Sequence, residues 1–153
     1  MIMKNIILIG LLGILFLVST GCETLTGKSI VTGNAIAETD EFIKIPLSDL
    51  SSKIKFYEFD DDGVKIKYFA VLGSDGKPRT AFNACDICGG SKGYEQIGSD
   101  IKCKICGKVF NIDGLGTKNK GYGCWPSYLP HEIQENNILI KVSDLKAEKL
   151  KFI

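Results

Sequence analysis

The pentapeptide Cys-x-x-Cys-Gly occurs twice, as Cys85-Asp86-Ile87-Cys88-Gly89 and as Cys103-Lys104-Ile105-Cys106-Gly107, and no other feature constrains this chain as tightly. A two-residue spacer lets a tight turn aim both sulfurs at one point. The following glycine tolerates φ > 0, so the backbone curls back and offers N–H groups to the sulfurs. Two such knuckles supply four soft thiolates. That S4 set suits zinc, a single iron or an iron–sulfur cluster. Fourteen residues separate Cys88 from Cys103, the length of a hairpin. Two local disulfides are the competing reading, since cysteines in an exported chain meet an oxidising compartment. The knuckle spacing is that of metal sites, which favours metal.

Composition narrows the function classes. With 153 residues, 19 basic and 18 acidic side chains and a formal net charge of +1, the chain carries no basic face for nucleic acid. The single histidine, His131, excludes a site that needs two histidines from one chain. Its Pro-His-Glu context predicts a surface residue. No Ser-His-Asp set, paired-carboxylate pattern, phosphate loop or dinucleotide fingerprint is present, so hydrolytic or nucleotide-dependent catalysis has no support. Seventeen glycines against four prolines suit a turn-rich β domain.

The first 22 residues read as a targeting segment. Lys4 gives a positive start, and the apolar run 6–18 is short for a spanning helix. Ser19-Thr20-Gly21-Cys22 resembles the lipobox of prokaryotic lipoproteins, with Ser19 where that pattern prefers an aliphatic residue. The resemblance implies a signal peptide over 1–21 and a lipid on Cys22. An uncleaved signal anchor and ordinary signal-peptidase cleavage are the alternatives. All three place the remainder outside the cytoplasm on a membrane surface. Residues 22–40, rich in Thr, Gly, Ser and Ala, read as a flexible tether. Lipidation of Cys22 leaves five cysteines, an odd number that cannot pair completely within the chain and that singles out Cys124.

From residue 41 the pattern is β, predicting one small, mainly antiparallel β domain over 41–153. Phe42-Ile43-Lys44-Ile45-Pro46-Leu47 predicts an edge strand, because Pro46 cannot donate to a ladder. Residues 53–59 alternate, and Asp60-Asp61-Asp62-Gly63 predicts a turn. That aspartate run lacks the glutamate a calcium loop needs. Residues 64–72 predict the clearest strand, continuously apolar at its end as if buried on both faces. Ser74-Asp75-Gly76-Lys77 predicts the next turn, and residues 79–84 deliver the chain to Cys85. A hairpin with its turn at Gly98-Ser99-Asp100 links the knuckles. Residues 108–112 and 138–142 predict later strands, and 146–153 a short tail with helical character. Ser143-Asp144-Leu145 echoes Ser48-Asp49-Leu50, each after an apolar strand.

Several motifs together resemble the FtrD-like family of membrane iron–sulfur proteins associated with iron permeases. They are Ala81-Phe82-Asn83-Ala84-Cys85-Asp86-Ile87-Cys88, Lys92-Gly93-Tyr94, the second knuckle, Phe110-Asn111-Ile112 and Gly123-Cys124-Trp125-Pro126. The departures are Tyr122 between two glycines and Trp125 in place of a polar residue. The resemblance implies a membrane-associated redox centre and, as a partner, an iron permease or redox protein. The layout is also similar to the cluster subdomain of Rieske proteins, with cysteines where those place histidines. A rubredoxin- or Rieske-like double-knuckle hairpin is therefore the expected site architecture. All-cysteine ligation would give a more negative potential than a Rieske centre.

These readings predict metal ligation by Cys85, Cys88, Cys103 and Cys106. The cofactor is an iron–sulfur cluster or single iron in one reading and zinc in the other. Two readings of Cys124 are open: an accessory ligand, redox thiol or metal acceptor in a loop covering the site, or a buried small hydrophobe. Tyr122, Trp125 and Tyr128 either shield the site or form core at the base of that loop. Three functions stand beside one another: an electron-transfer component linked to iron transport, a zinc-stapled binding module, and a metallochaperone.

Overall fold

A computed structural model describes residues 41–153 apart from Ser91 and Tyr122. The signal segment 1–21, Cys22, the tether 22–40 and the shielding role of Tyr122 lie outside the described residues. Ten strands follow in order: β1 (Phe42–Pro46), β2 (Lys55–Asp61), β3 (Val64–Leu72), β4 (Pro78–Cys85), β5 (Tyr94–Ile97), β6 (Asp100–Cys103), β7 (Val109–Asn111), β8 (Pro126–Tyr128), β9 (Glu132–Gln134) and β10 (Asn137–Lys141). One helix, α1 (Val142–Ala147), follows β10, and short 3-10 turns occupy Leu47–Asp49, Ile112–Gly114 and Lys149–Phe152. The described part is thus mainly β, in small antiparallel sheets.

The three sheets run β1-β10-β9, β2-β3-β4-β8 and β5-β6-β7, and every pairing is antiparallel. Side chains alternate across a strand, so the central sheet has two faces to cover. On β3 and β4, Ile66, Tyr68, Ala70, Phe82 and Ala84 join Ile45, Leu50, Leu129, Ile138, Ile140 and Leu145 in one apolar cluster. The opposite face contributes Phe69, Val71, Ala81 and Cys85, which pack with Tyr94, Ile101, Cys103, Ile112 and Leu115 in a second. The central sheet is therefore sandwiched between the β1-β10-β9 sheet and the β5-β6-β7 sheet. This accounts for the continuous apolar end of β3. Each buried side chain of the Leu, Ile or Phe class contributes about 1.5–3 kcal/mol of transfer free energy.

The Ser-Asp-Leu echo has a structural counterpart. In the β1–β10 ladder Ile43 faces Ile140 and Ile45 faces Ile138, so the pair is locally two-fold symmetric about Lys44 and Leu139. After each strand a helical turn carries the Leu, Leu50 or Leu145, into the same apolar cluster.

Several boundaries differ from the sequence reading. β2 runs through Asp61, which leaves Asp62 and Gly63 as a two-residue turn, and the Asp60 carboxylate accepts the Gly63 N–H at 2.9 Å. Asp100 belongs to β6, opposite Ile97. Strands β8 and β9 were not foreseen, and the helix begins at Val142. His131 is half-buried, its Nδ1 2.8 Å from the Thr80 hydroxyl, so the surface expectation for it is corrected.

Candidate metal centre

Both knuckles close by the same hydrogen bond. Gly89 N–H donates to the Cys85 carbonyl at 2.9 Å, and Gly107 N–H to the Cys103 carbonyl at 2.9 Å. Gly89 and Gly107 both have φ 73°, the left-handed region in which a Cβ is costly. The return bond differs by one residue: Cys85 N–H reaches the Gly89 carbonyl at 3.0 Å, whereas Cys103 N–H reaches the Lys108 carbonyl at 2.9 Å. The second knuckle is tied to the start of the hairpin by Lys104 N–H donating to the Gly93 carbonyl at 3.0 Å.

The knuckle tips meet. The sulfurs of Cys88, Cys103 and Cys106 lie within 4.8 Å of one another, and so do those of Cys85, Cys88 and Cys124. Cys88 belongs to both groups. Cys124 Sγ stands 3.7 Å from Cys88 Sγ and 3.7 Å from Cys106 Sγ. The first cysteine of each knuckle, Cys85 and Cys103, is buried at 1% exposure, while Cys88 and Cys124 are half-buried and Cys106 is exposed. Five thiols thus converge, two inner and three outer. These five described cysteines are free thiols.

The surroundings set the charge of these sulfurs. Burial pushes the Cys85 thiol up, but the N–H groups of Cys88 and Ile87, the Tyr94 hydroxyl and Cys124 outweigh it and leave Cys85 below the ordinary range. The Lys108 N–H is the main force holding Cys106 down, to about 7, against burial and with help from Cys103, Cys124 and Cys88. Cys88 is pushed up, first by burial and then by Cys124, Cys106 and Cys85. Cys106 pushes Cys124 up as well. Crowded thiols cannot all ionise without a counter-charge, and a cation among them supplies it.

An apolar floor excludes water from the inner side. Phe69, Tyr94, Phe110 and Trp125 form an edge-to-face series with centroid separations of 6.3, 6.2 and 5.5 Å. The Tyr94 hydroxyl is buried with no nitrogen or oxygen partner among the described residues, and it faces Cys85. Trp125 is half-buried, stacks edge-on against Phe110 and donates its indole N–H to the Thr117 carbonyl at 2.9 Å. It therefore closes the base of the 114–123 loop. Tyr128 is half-buried under the Lys118 ammonium, 5.9 Å from its ring.

Sequence reasoning missed the residue that fastens this region. The Asp86 carboxylate, inside the first knuckle, accepts from the Ser127 hydroxyl at 2.6 Å and from Lys151 at 3.0 Å. The Asp86 N–H donates to the Trp125 carbonyl at 3.0 Å. Despite burial, Ser127, Lys151 and Asn119 hold this carboxyl below the usual range. Nothing local marks Asp86 for this, because Lys151 lies 65 positions away. Asn83 stands in the 81–88 motif without an assigned role: its side-chain oxygen accepts the Tyr94 N–H at 2.7 Å and so sets the start of the hairpin between the knuckles.

Chemically, the two sulfur groups contain cysteine alone, with no histidine or carboxylate among the described residues in either. That donor set fits zinc, iron or an iron–sulfur cluster and disfavours calcium or magnesium. A tetrahedral ion with 2.3 Å metal–sulfur bonds has sulfur–sulfur edges of about 3.8 Å, close to the 3.7 Å that separates Cys124 from Cys88 and from Cys106.

Compared with known families, residues 50–152 match the one described as membrane iron-sulfur containing protein FtrD-like. No curated protein matches the chain. Among the described residues no helix is long and apolar enough to cross a membrane.

Proposed function

The chain belongs to the FtrD-like family of membrane iron–sulfur proteins, and from that premise we propose that it is a membrane-anchored, extracytoplasmic electron-transfer component serving iron transport, with Cys85, Cys88, Cys103 and Cys106 as ligands. The observation that carries this reading is the convergence of free thiols on two knuckles, buried on one side and open on the other. A single iron or an iron–sulfur cluster held there supplies a one-electron couple. The chain's own residues provide the rest. Backbone N–H groups of Ile87, Cys88 and Lys108 face the sulfurs and stabilise their negative charge. The aromatic floor keeps water from the inner cysteines. At the open side, Ile87 and Ile105 are exposed at 68% and 42%, one beside each outer knuckle cysteine. A partner meeting that edge comes within a short distance of the sulfurs.

Anchoring through lipid on Cys22 is part of the proposal. It suits the family's description as membrane proteins and the lipobox-like Ser19-Thr20-Gly21-Cys22. The deciding experiment is metal and sulfide analysis with visible absorption on protein purified without air. Iron–thiolate colour with stoichiometric iron supports the redox reading. Colourless protein with one zinc per chain refutes it and leaves a structural staple, because zinc has a filled d shell.

A further inference from the structure

Five sulfurs are one too many for the simplest sites. A tetrahedral ion, or a two-iron cluster, takes four protein thiolates, whereas two tetrahedral ions bridged by two sulfurs take six. Four-thiolate ligation therefore leaves one of the five thiols over, and the bridged pair lacks its sixth. Position identifies the thiol left over with a pair. The sulfurs of Cys85, Cys88 and Cys124 all lie within 4.8 Å of one another. Cys88, Cys103 and Cys106 form the other group. Cys124 sits at 3.7 Å, a tetrahedral edge, from both Cys88 and Cys106. The two members of the pair differ in access. Cys85 is on β4 in the apolar core, and Cys124 is on a loop and half-buried.

The geometry points to two interchangeable four-sulfur sets, an inner set of Cys85, Cys88, Cys103 and Cys106 and an outer set in which Cys124 replaces Cys85. This rests on the proposed ligand reading and deepens it. The exchange is a ligand substitution with no change of oxidation state. The bond to Cys124 Sγ forms as the bond to Cys85 Sγ breaks, and the proton lost from Cys124 ends on the Cys85 sulfur. The outer set presents a cation from three outer cysteines, where an incoming thiolate or carboxylate chelate reaches it. The site then serves as a metal donor or acceptor as well as a fixed centre.

Cobalt(II) is the probe, since its ligand-field absorption reports how many thiolates bind. Full-length, reduced, metal-free protein is titrated as wild type, Cys85→Ser, Cys124→Ala and the double variant. Wild type, Cys85→Ser and Cys124→Ala are expected to give four-thiolate spectra. For Cys85→Ser the affinity falls about tenfold to a hundredfold, the loss seen when the support of a metal site is altered. The double variant drops to three thiolates. Cys124→Ala also surrenders cobalt to a competing chelator at least about tenfold more slowly than wild type, because its outward route is gone. A three-thiolate spectrum for folded Cys85→Ser, or wild-type transfer kinetics for Cys124→Ala, overturns the exchange. The second variant decides the matter if Cys85→Ser does not fold. A wild-type protein that never shows four thiolates overturns instead the ligand reading on which the exchange rests.

Discussion

Gly93 is the position where one methyl group should unsettle the whole hairpin between the knuckles. Its φ is +66°, and a Cβ built there overlaps the Asn83 carboxamide. Asn83 in turn accepts the Tyr94 N–H at 2.7 Å. Gly93→Ala therefore carries two costs. Left-handed backbone costs an alanine about 1–2 kcal/mol. Displacing Asn83 leaves a poorly solvated N–H unpaired, about 1–3 kcal/mol more. The sum is about 2–5 kcal/mol, or roughly 8–20 °C in Tm for a domain near this size. Asn83→Ala alone costs only the second part. Because Gly93→Ala has already lost that hydrogen bond, adding Asn83→Ala to it should cost nothing further. The cycle is measured by urea unfolding of reduced, metal-free protein, and its coupling energy should equal the single Asn83→Ala effect, about 1–3 kcal/mol. Additive losses would refute the argument, because the methyl and the carboxamide would then not compete for one space.

Two further predictions follow from other parts of the fold. Glu135 and Asn136 turn β9 into β10 with φ of 49° and 62°, a conformation that asparagine tolerates better than glutamate. Glu135→Asn is expected to raise stability by about 0.5–1 kcal/mol in denaturant unfolding; an unchanged midpoint would show that the turn bears no strain. Burial, with the Arg79 charge nearby, holds the His131 imidazole below 6.5. The unfolded chain therefore takes up a proton first as pH falls, so stability is full above about 6.5 and declines on acidification towards the lowered folded value. His131→Gln should flatten that slope when unfolding free energy is measured across the interval, and a wild-type slope in the variant would assign it elsewhere.

What the sequence made legible follows from how local each signal is. β3 is recognisable because its alternating and then continuous apolar pattern needs only nine neighbouring residues, and the fold buries both of its faces. The knuckles are legible for the same reason. β8 and β9 are not: each has three residues, Pro126 reads as a break, and the Glu135-Asn136 turn contains no glycine. Pro126 is accommodated because it opens a strand at the sheet edge. The spacing of Cys124 from Cys106 is fixed by no local rule, so its role stayed open in the sequence. Its sulfur distances come from tertiary packing alone. The Asp86–Lys151 pair was invisible for that reason too. His131 misled because the Pro-His-Glu context does not reveal Thr80 across the sheet.

The place of Cys124 is set by the register of β8 on β4. Ala81 faces Tyr128, and Cys85 faces Pro126. Four steps along β4 thus match two along β8, so β4 carries a bulge between those pairs. A bulge next to a functional site re-aims side chains, and here it has two results. It frees Asn83, inside the bulge, to reach across to the Tyr94 N–H and set the hairpin. It also brings Pro126 opposite Cys85, so that Cys124, two residues earlier in the antiparallel partner, falls beside the tip of the first knuckle rather than beside its base. The Asp86 N–H bond to the Trp125 carbonyl and the Asp86–Ser127 contact lock that register on both sides of Pro126. A slip of one residue would turn Ser127 away from Asp86 and carry Cys124 away from Cys88, because side chains alternate between faces. The fifth thiol is therefore placed by the register of the sheet. That makes its 3.7 Å approach to two outer cysteines a property of the fold.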